Sequence, residues 1–178
     1  MKKEKRFTFS AQQIAIVAML MALRFVLSKF SIPLGESNRI GFGFIVVSLM
    51  GMLYGPWVTG IASGLFDLLK SFVGSVGGTF FIGFTLSAIA GGVVYGFFLH
   101  RQRVNWQHVL GAVVTNTVLV NLLMTTYWIH LLYGTPFKAL FIARIPQNLV
   151  MGAVRFMMIL LLSRLPQIKQ IIQKYRTD

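Results

Sequence analysis

One carboxylate lies inside an apolar segment of this sequence, and its position points to a buried functional role. Asp67 is flanked by Leu65, Phe66, Leu68 and Leu69, whereas the other acidic residues lie in polar stretches or at the chain ends (Glu4, Glu36 and Asp178). An ionisable group at membrane depth costs on the order of 3 kcal/mol on insertion scales, so it usually faces a protein interior or a water-filled cavity. We therefore expect Asp67 to line a binding site.

Other polar and aromatic residues are expected on the same, outer side of the protein as Asp67. They supply cations, hydrogen-bonding groups and an indole ring: Arg24, Thr85, Asn121, Trp128 and Arg144, with Arg39 in a loop above them. Arginine binds carboxylates through a fork of N–H donors, and a carboxylate accepts paired N–H groups from a heterocycle. Apolar walls with a few fixed polar groups are typical of ligand pockets. The set indicates a site for a flat, polar, anionic small molecule.

Simpler roles stay open for several of these residues. Arg24 or Arg144 could serve only to neutralise Asp67. Asn121 could form interhelical hydrogen bonds, which are common where polar side chains line one face of a membrane helix. Arg39 could contact solvent rather than a ligand.

The sequence contains no pattern typical of an active site. The three histidines are scattered along the chain, and cysteine is absent, so neither a metal site nor a thiolate site is predicted (His100, His108 and His130). A Gly-Lys-Ser/Thr phosphate-binding loop and a Gly-x-Ser-x-Gly motif are also missing. We therefore predict that the chain has no catalytic residue, is not an enzyme and does not hydrolyse ATP by itself.

The composition is that of a membrane protein. The chain has 178 residues, of which 56% are hydrophobic and only 12% are charged, and its mean hydropathy is +0.72. A soluble domain would carry about 25% charged residues. The apolar runs are continuous rather than alternating, which favours helices over a barrel because all backbone groups within lipid must be satisfied internally. We predict a single integral membrane domain over residues 1–178, with basic ends at about residues 1–8 and 166–178.

The apolar runs predict an all-α protein with six transmembrane helices. Their approximate bounds are Phe9–Phe30, Ile40–Leu53, Trp57–Phe72, Phe80–Leu99, His108–Leu132 and Phe137–Leu165. The second of these is short, and Tyr54-Gly55-Pro56 is expected to form the turn after it, since proline suits the first position of a helix.

The basic residues are grouped in a way that predicts the topology. They cluster near the N-terminus, around Arg101 and Arg103, and near the C-terminus. Cytoplasmic loops are enriched in lysine and arginine, so both termini are predicted to be cytoplasmic. The net charge of +13 is then explained by contact with anionic lipid headgroups of the bilayer, and no nucleic-acid partner is predicted. Arg155, near the cytoplasmic end of the last helix, is expected to extend to the interface or to contact a partner.

Small residues recur at helical spacing on three of the predicted helices. Ala11, Ala15, Ala18 and Ala22 share one face of the first helix, and Arg24 lies roughly opposite them. The third helix carries Gly60, Gly64 and Asp67 on one face, and the fourth carries Ala88, Gly92 and Gly96. Such stripes permit close helix approach, either inside the bundle or against a partner.

Several segments resemble the substrate-binding (S) components of energy-coupling factor (ECF) vitamin transporters, within them the folate-specific group. The resemblance covers most of the chain. The segments that carry it are Leu23–Phe30, Gly51–Pro56, Gly64–Asp67, Phe81–Ala88, Tyr95-Gly96, Asn121–Leu123, Thr126–Trp128 and Ala143-Arg144, together with the alanine stripe.

This resemblance implies a six-helix S-component fold in the bacterial cell membrane, with an outward-facing pocket for folate. It also implies a transmembrane coupling subunit and two cytosolic ATPase subunits as partners, which would hydrolyse the ATP. The alanine stripe would then be the docking surface for the coupling subunit. Asp67 is assigned to the N–H donors of the pterin, and Arg24 or Arg144 to the glutamate carboxylates. The alternatives are an S component for another vitamin, such as pantothenate or a thiamine or pyrimidine precursor, and a membrane scaffold subunit without a transport role.

Overall fold

The computed structural model describes residues 11–30, 32–33, 39–72, 81–100 and 105–175. These residues form a helical bundle. The helices are α1 (Ala11–Lys29), α2 (Gly43–Phe72), α3 (Ile82–Leu99), α4 (Trp106–Thr115), α5 (Thr125–Tyr133), α6 (Phe137–Arg164) and α7 (Pro166–Tyr175). A π-helical segment (Asn116–Met124) joins α4 to α5, and two short antiparallel strands, β1 (Ile32–Pro33) and β2 (Arg39–Ile40), lie between α1 and α2. The predicted all-α membrane class is confirmed.

Helix α2 contains a reversal of chain direction at Gly55, which has φ 75° and ψ −172°. Gly43 and Phe66 lie on either side of this glycine, and both approach the side chain of Arg24. A straight helix would separate them by about 34 Å at 1.5 Å per residue. The residues before Gly55 (43–54, the first arm) and those from Pro56 onward (56–72, the second arm) therefore run back alongside each other, as the predicted Gly-Pro turn requires.

Five stretches of the described chain are long and apolar enough to cross a membrane, and both arms of α2 fall within one of them. The six predicted helices are recovered when the arms are counted separately. The first arm is only about 18 Å long. Because this is shorter than the hydrocarbon core of a bilayer, about 30 Å, the start of α2 lies at membrane depth if Gly55 is at one face.

Helices α2 and α3 approach each other closely through glycines on both sides of their contact. A Cβ atom on Gly92 of α3 would lie 2.5 Å from the carbonyl oxygen of Thr59, and one on Gly96 would overlap the backbone of Pro56. From the other side, a Cβ atom on Gly60 or Gly64 would lie 2.7 Å from side chains of α3. The predicted small-residue faces of these two helices are thus the faces that meet.

The fifth predicted helix is interrupted by the π-helical segment, which the sequence did not indicate. Its i→i+5 geometry is matched by two side chains, since Thr125 donates to the carbonyl of Val120 and Asn121 donates to the carbonyl of Asn116, at 2.8 and 3.1 Å. The side-chain amide of Asn116 crosses to the carbonyl of Gly91 on α3, at 3.1 Å. The wider turn therefore fixes a polar contact between two membrane helices.

The C-terminal segment of the chain is more regular than the sequence predicted. Residues after Pro166 were expected to form a basic tail, but they form helix α7, which begins with that proline. Apolar residues recur along α7, and Ile172 packs against the main core, so tertiary contact stabilises a helix too short to persist alone. The cytoplasmic position of both termini stays a prediction, and the basic groups at Lys2–Arg6 and at Arg101 and Arg103 lie outside the described residues.

Candidate functional site

Asp67 accepts a hydrogen bond from another helix. The hydroxyl of Thr85, which is buried on α3, donates to the Asp67 carboxylate at 2.8 Å. Thr85 can reach it because Gly64, one turn earlier on α2, lets the two helices approach closely. One carboxylate oxygen is thereby held in place, and the carboxylate has further lone pairs for N–H donors.

Arg24 lies beside this carboxylate on the side of α1 that faces the bundle. Its guanidinium carbon is 4.1 Å from the centroid of the Phe66 ring, a cation–π contact. The charge of Asp67, the next residue along α2, acts on the guanidinium. The side chain of Arg24 also approaches Gly43 at the start of the first arm. The structure therefore brings Arg24, Asp67 and Thr85 together, as the sequence predicted.

Trp128 belongs to an aromatic cluster at the start of α3. Its indole N–H donates to the hydroxyl of Ser87 at 3.1 Å, and its ring lies 5.7 Å from that of Phe81. Gly83 sits directly beneath, because a Cβ atom there would lie 2.5 Å from both rings. Ser87 lies two residues after Thr85, about 200° further around α3, so this cluster lies on the other side of α3 from the Asp67 carboxylate. Its rings are a candidate stacking surface for a flat ligand.

The side-chain amide of Asn121 forms its hydrogen bonds within its own helix. Its amide donates to the carbonyl oxygen and the side-chain oxygen of Asn116, at 3.1 and 3.2 Å. These bonds stabilise the π-helical segment and position Asn116 for its contact with α3. Among the described residues it is therefore Asn116, not Asn121, that bonds across to α3, and a ligand contact by Asn121 would have to use its carbonyl oxygen.

Arg144 lies in the first half of α6, facing α5. One of its terminal nitrogens is 3.4 Å from the hydroxyl of Thr126, a fully buried residue. Its Nε atom is buried and has no hydrogen-bond partner within the described part of the chain. This arginine thus has unused donors on the inside of the bundle, which is the arrangement expected of a ligand contact rather than of a counter-ion for Asp67.

The arrangement was compared with known proteins. Residues 12–163 match the family model described as "ECF transporter, substrate-specific component". The chain belongs to this family. The protein is therefore a multi-pass membrane protein of a bacterial transport family, and the family resemblance seen in its sequence is confirmed.

Relatives of this S component include proteins named folate transporter FolT. The one from Clostridium novyi is 38% identical over 143 residues, which span 80% of this chain and 83% of the relative. The one from Streptococcus mutans is 31% identical over 141 residues, or 75% of each chain.

Two solved structures have the same fold as this S component. A crystal structure of FolT bound with folic acid has a TM-score of 0.79 and 30% identity, and the match covers 86% of this chain and 93% of that one. The S component for biotin from an ECF-type ABC transporter has a TM-score of 0.67 at 17% identity, covering 96% and 100% of the two chains, and this likeness concerns the fold alone.

The alanine stripe of this S component lies on an exposed surface. Ala11, Ala15, Ala18 and Ala22 are all exposed, and α1 has no buried residue. The opposite side of α1 packs against α2 through half-buried residues such as Leu20 and Met21. Packing of the stripe inside the bundle, one of the two interpretations, is therefore wrong for the described residues.

Two arginines remain to be placed, Arg39 and Arg155. Arg39 lies in β2 opposite Pro33, and its side chain is outside the described part. Arg155 was expected to extend to the membrane interface or to contact a partner, and its guanidinium carbon lies 5.9 Å from the ring centroid of Phe44, on the inside. Its spacing of eleven residues from Arg144, which places both on one helix face, was the available signal.

Proposed function

We propose that this protein is the folate-binding and translocating S component of an ECF-type importer, energised by partner ATPases. The observation that carries the proposal is the triplet of Asp67, Thr85 and Arg24, in which a carboxylate is held by one hydroxyl beside a guanidinium. A pterin presents adjacent N–H donors that a carboxylate can accept in a pair. The identity with folate transporters from two organisms supports the same substrate.

The aromatic cluster, on the other side of α3 from Asp67, and Arg144 are further parts of the site in this proposal. The rings of Phe81 and Trp128 offer faces for the pterin or the benzoyl group, and stacking of this kind is worth about 1 kcal/mol per ring pair. Arg24 or Arg144 binds the glutamate carboxylates, and Arg144 has a free buried N–H for this purpose within the described chain. Arg39 and the carbonyl oxygen of Asn121 are secondary contacts.

The proposed partners are a transmembrane coupling subunit and two cytosolic ATPases. The chain carries no phosphate-binding loop, so the ATP must be hydrolysed elsewhere. The exposed alanine stripe is the surface proposed for the coupling subunit, because small residues let a second helix approach to backbone contact within the bilayer.

The test is native mass spectrometry of the protein purified in detergent from folate-containing cells. We expect a bound mass that matches a folate, and its loss in Asp67→Asn and Arg24→Ala. Asp67→Asn should weaken folate binding roughly 100-fold, since the amide replaces one acceptor with a donor and removes a charge. Lys138→Gln, at the start of α6, is the control and should retain the vitamin. A wild-type protein that carries no folate and binds none when folate is added would contradict the proposal. A bound mass that matches another vitamin would indicate an S component for that vitamin.

A further inference from the structure

Two polar side chains outside the proposed site, those of Arg155 and Tyr95, lie near the start of the first arm of α2. The Arg155 guanidinium lies over the face of Phe44, the second residue of α2. Tyr95 of α3 belongs to the same buried cluster as Phe44 and is only 3% exposed. The charge of Arg155 acts on the Tyr95 hydroxyl, so the three side chains from α2, α3 and α6 form one group.

Two atoms of this group are buried without a hydrogen bond. Within the described part of the chain, neither the hydroxyl of Tyr95 nor the Nε of Arg155 has a partner. Buried polar groups are nearly always paired, because leaving one unpaired costs its full desolvation. Both atoms can donate, and the guanidinium can only donate. The group therefore lacks acceptors.

The charges around the start of α2 are also unbalanced. Asp67 is the only acidic residue in the described part of the chain, and its charge acts on Arg24. Arg24 approaches Gly43 and Arg155 approaches Phe44, so the two guanidiniums flank consecutive residues at the start of α2. Of the two, only Arg24 has a described acidic neighbour. An acceptor or anionic group is most favoured next to Arg155.

We propose that Arg155 and Tyr95 bind a pair of acceptor atoms on the transported vitamin, with Phe44 packing beside them. Two parts of a folate present such a pair, namely a glutamate carboxylate and the O4–N5 edge of the pterin, which resembles the O6–N7 edge of guanine that arginine binds in DNA. The inference rests on the proposed folate-binding function and adds residues to that site.

This contact is distinct from the one assigned to Arg144. The two arginines share a face of α6 but lie about 16 Å apart along it, at 1.5 Å per residue. Their guanidiniums also have different neighbours, Thr126 of α5 for Arg144 and Phe44 of α2 for Arg155. An extended ligand that reaches both would be anchored at two separate depths, which a single arginine could not achieve.

The test compares folic acid with pteroic acid, which lacks the glutamate, by calorimetry on the purified, folate-free S component. Wild type must first bind folic acid, since its failure to do so would overturn the proposed function rather than this inference. We then expect Arg155→Gln to weaken folic acid binding roughly 30-fold and Tyr95→Phe about fivefold, as for one charged and one neutral hydrogen bond. Arg164→Gln, an exposed residue at the end of α6, should bind as wild type does.

The two ligands and a stability measurement separate the possible roles. A loss for folic acid alone assigns the pair to the glutamate, and an equal loss for both ligands assigns it to the pterin edge. Tyr95→Phe removes an unpaired hydroxyl, so it should leave the thermal midpoint of the ligand-free protein unchanged or higher while reducing the stabilisation by folic acid. Unchanged folic acid affinity in both variants would overturn the inference. So would a lowered ligand-free midpoint in Tyr95→Phe, because it would mean that the hydroxyl has a structural partner.

Discussion

Helices α1 and α3 both pack against α2, but they do so in opposite ways. Helix α3 meets α2 through glycines, so that backbone lies against backbone around Gly92 and Gly96. Helix α1 has no buried residue, and its alanine face points away from the rest of the described chain. In a bilayer there is no hydrophobic force between helices, and association depends on close packing and polar contacts. The pair α2–α3 is therefore closely packed, whereas one face of α1 is left uncovered by the described chain and is the surface proposed for a partner.

The largest expected effect is on the alanine face. Ala18→Leu should reduce folate uptake roughly 100-fold in cells that contain the coupling module, because a leucine holds the partner helix away and overpacking costs about 1–3 kcal/mol. Folate binding and the thermal midpoint of the isolated protein should not change, since Ala18 is exposed. Ala153→Leu, an exposed alanine of α6, is the matched control. Normal uptake by Ala18→Leu would show that transport does not depend on the exposed alanine face of α1.

A smaller effect is expected at the glycine contact, this time on stability. Gly92→Ala should lower the free energy of unfolding by about 2 kcal/mol, because its Cβ would lie 2.5 Å from a backbone oxygen that cannot move aside. Gly152→Ala is the control, since its nearest neighbour would be at 3.8 Å and alanine favours a helix. Thermal unfolding of the ligand-free protein in detergent measures both. If Gly92→Ala unfolds at the temperature of Gly152→Ala, the α2–α3 contact is looser than described.

The smallest effect is expected on the side of α1 that faces the bundle. Leu20→Ala should cost less than about 1 kcal/mol, because Leu20 is half-buried and lipid replaces part of its lost contacts. Leu53→Ala, at a position only 1% exposed, leaves a closed cavity and should cost about 2 kcal/mol or more. The same unfolding assay ranks the two. Equal costs would show that α1 is as firmly packed as the core.

Much of the site was predictable because helical periodicity fixes which residues share a face. The spacing of Gly60, Gly64 and Asp67 placed the carboxylate on a closely packed side, and Thr85 is found there on the facing helix. The positions of Arg24 and the alanines on opposite sides of α1 followed from the same rule. The periodicity does not say what a shared face contacts. Asn121, for example, donates to a backbone carbonyl of its own helix.

The sequence by itself determined the membrane class, the apolar segments that form the membrane helices and the turn at Gly55-Pro56, because bilayer thickness and backbone chemistry restrict apolar runs to few outcomes. Tertiary structure alone decided the π-helical segment, whose extra residue per turn aligns Asn116 with α3. It also decided the inward position of Arg155, since the short first arm brings Phe44 beneath the guanidinium. Such pairings depend on the distances between helices, which no one segment of the chain encodes.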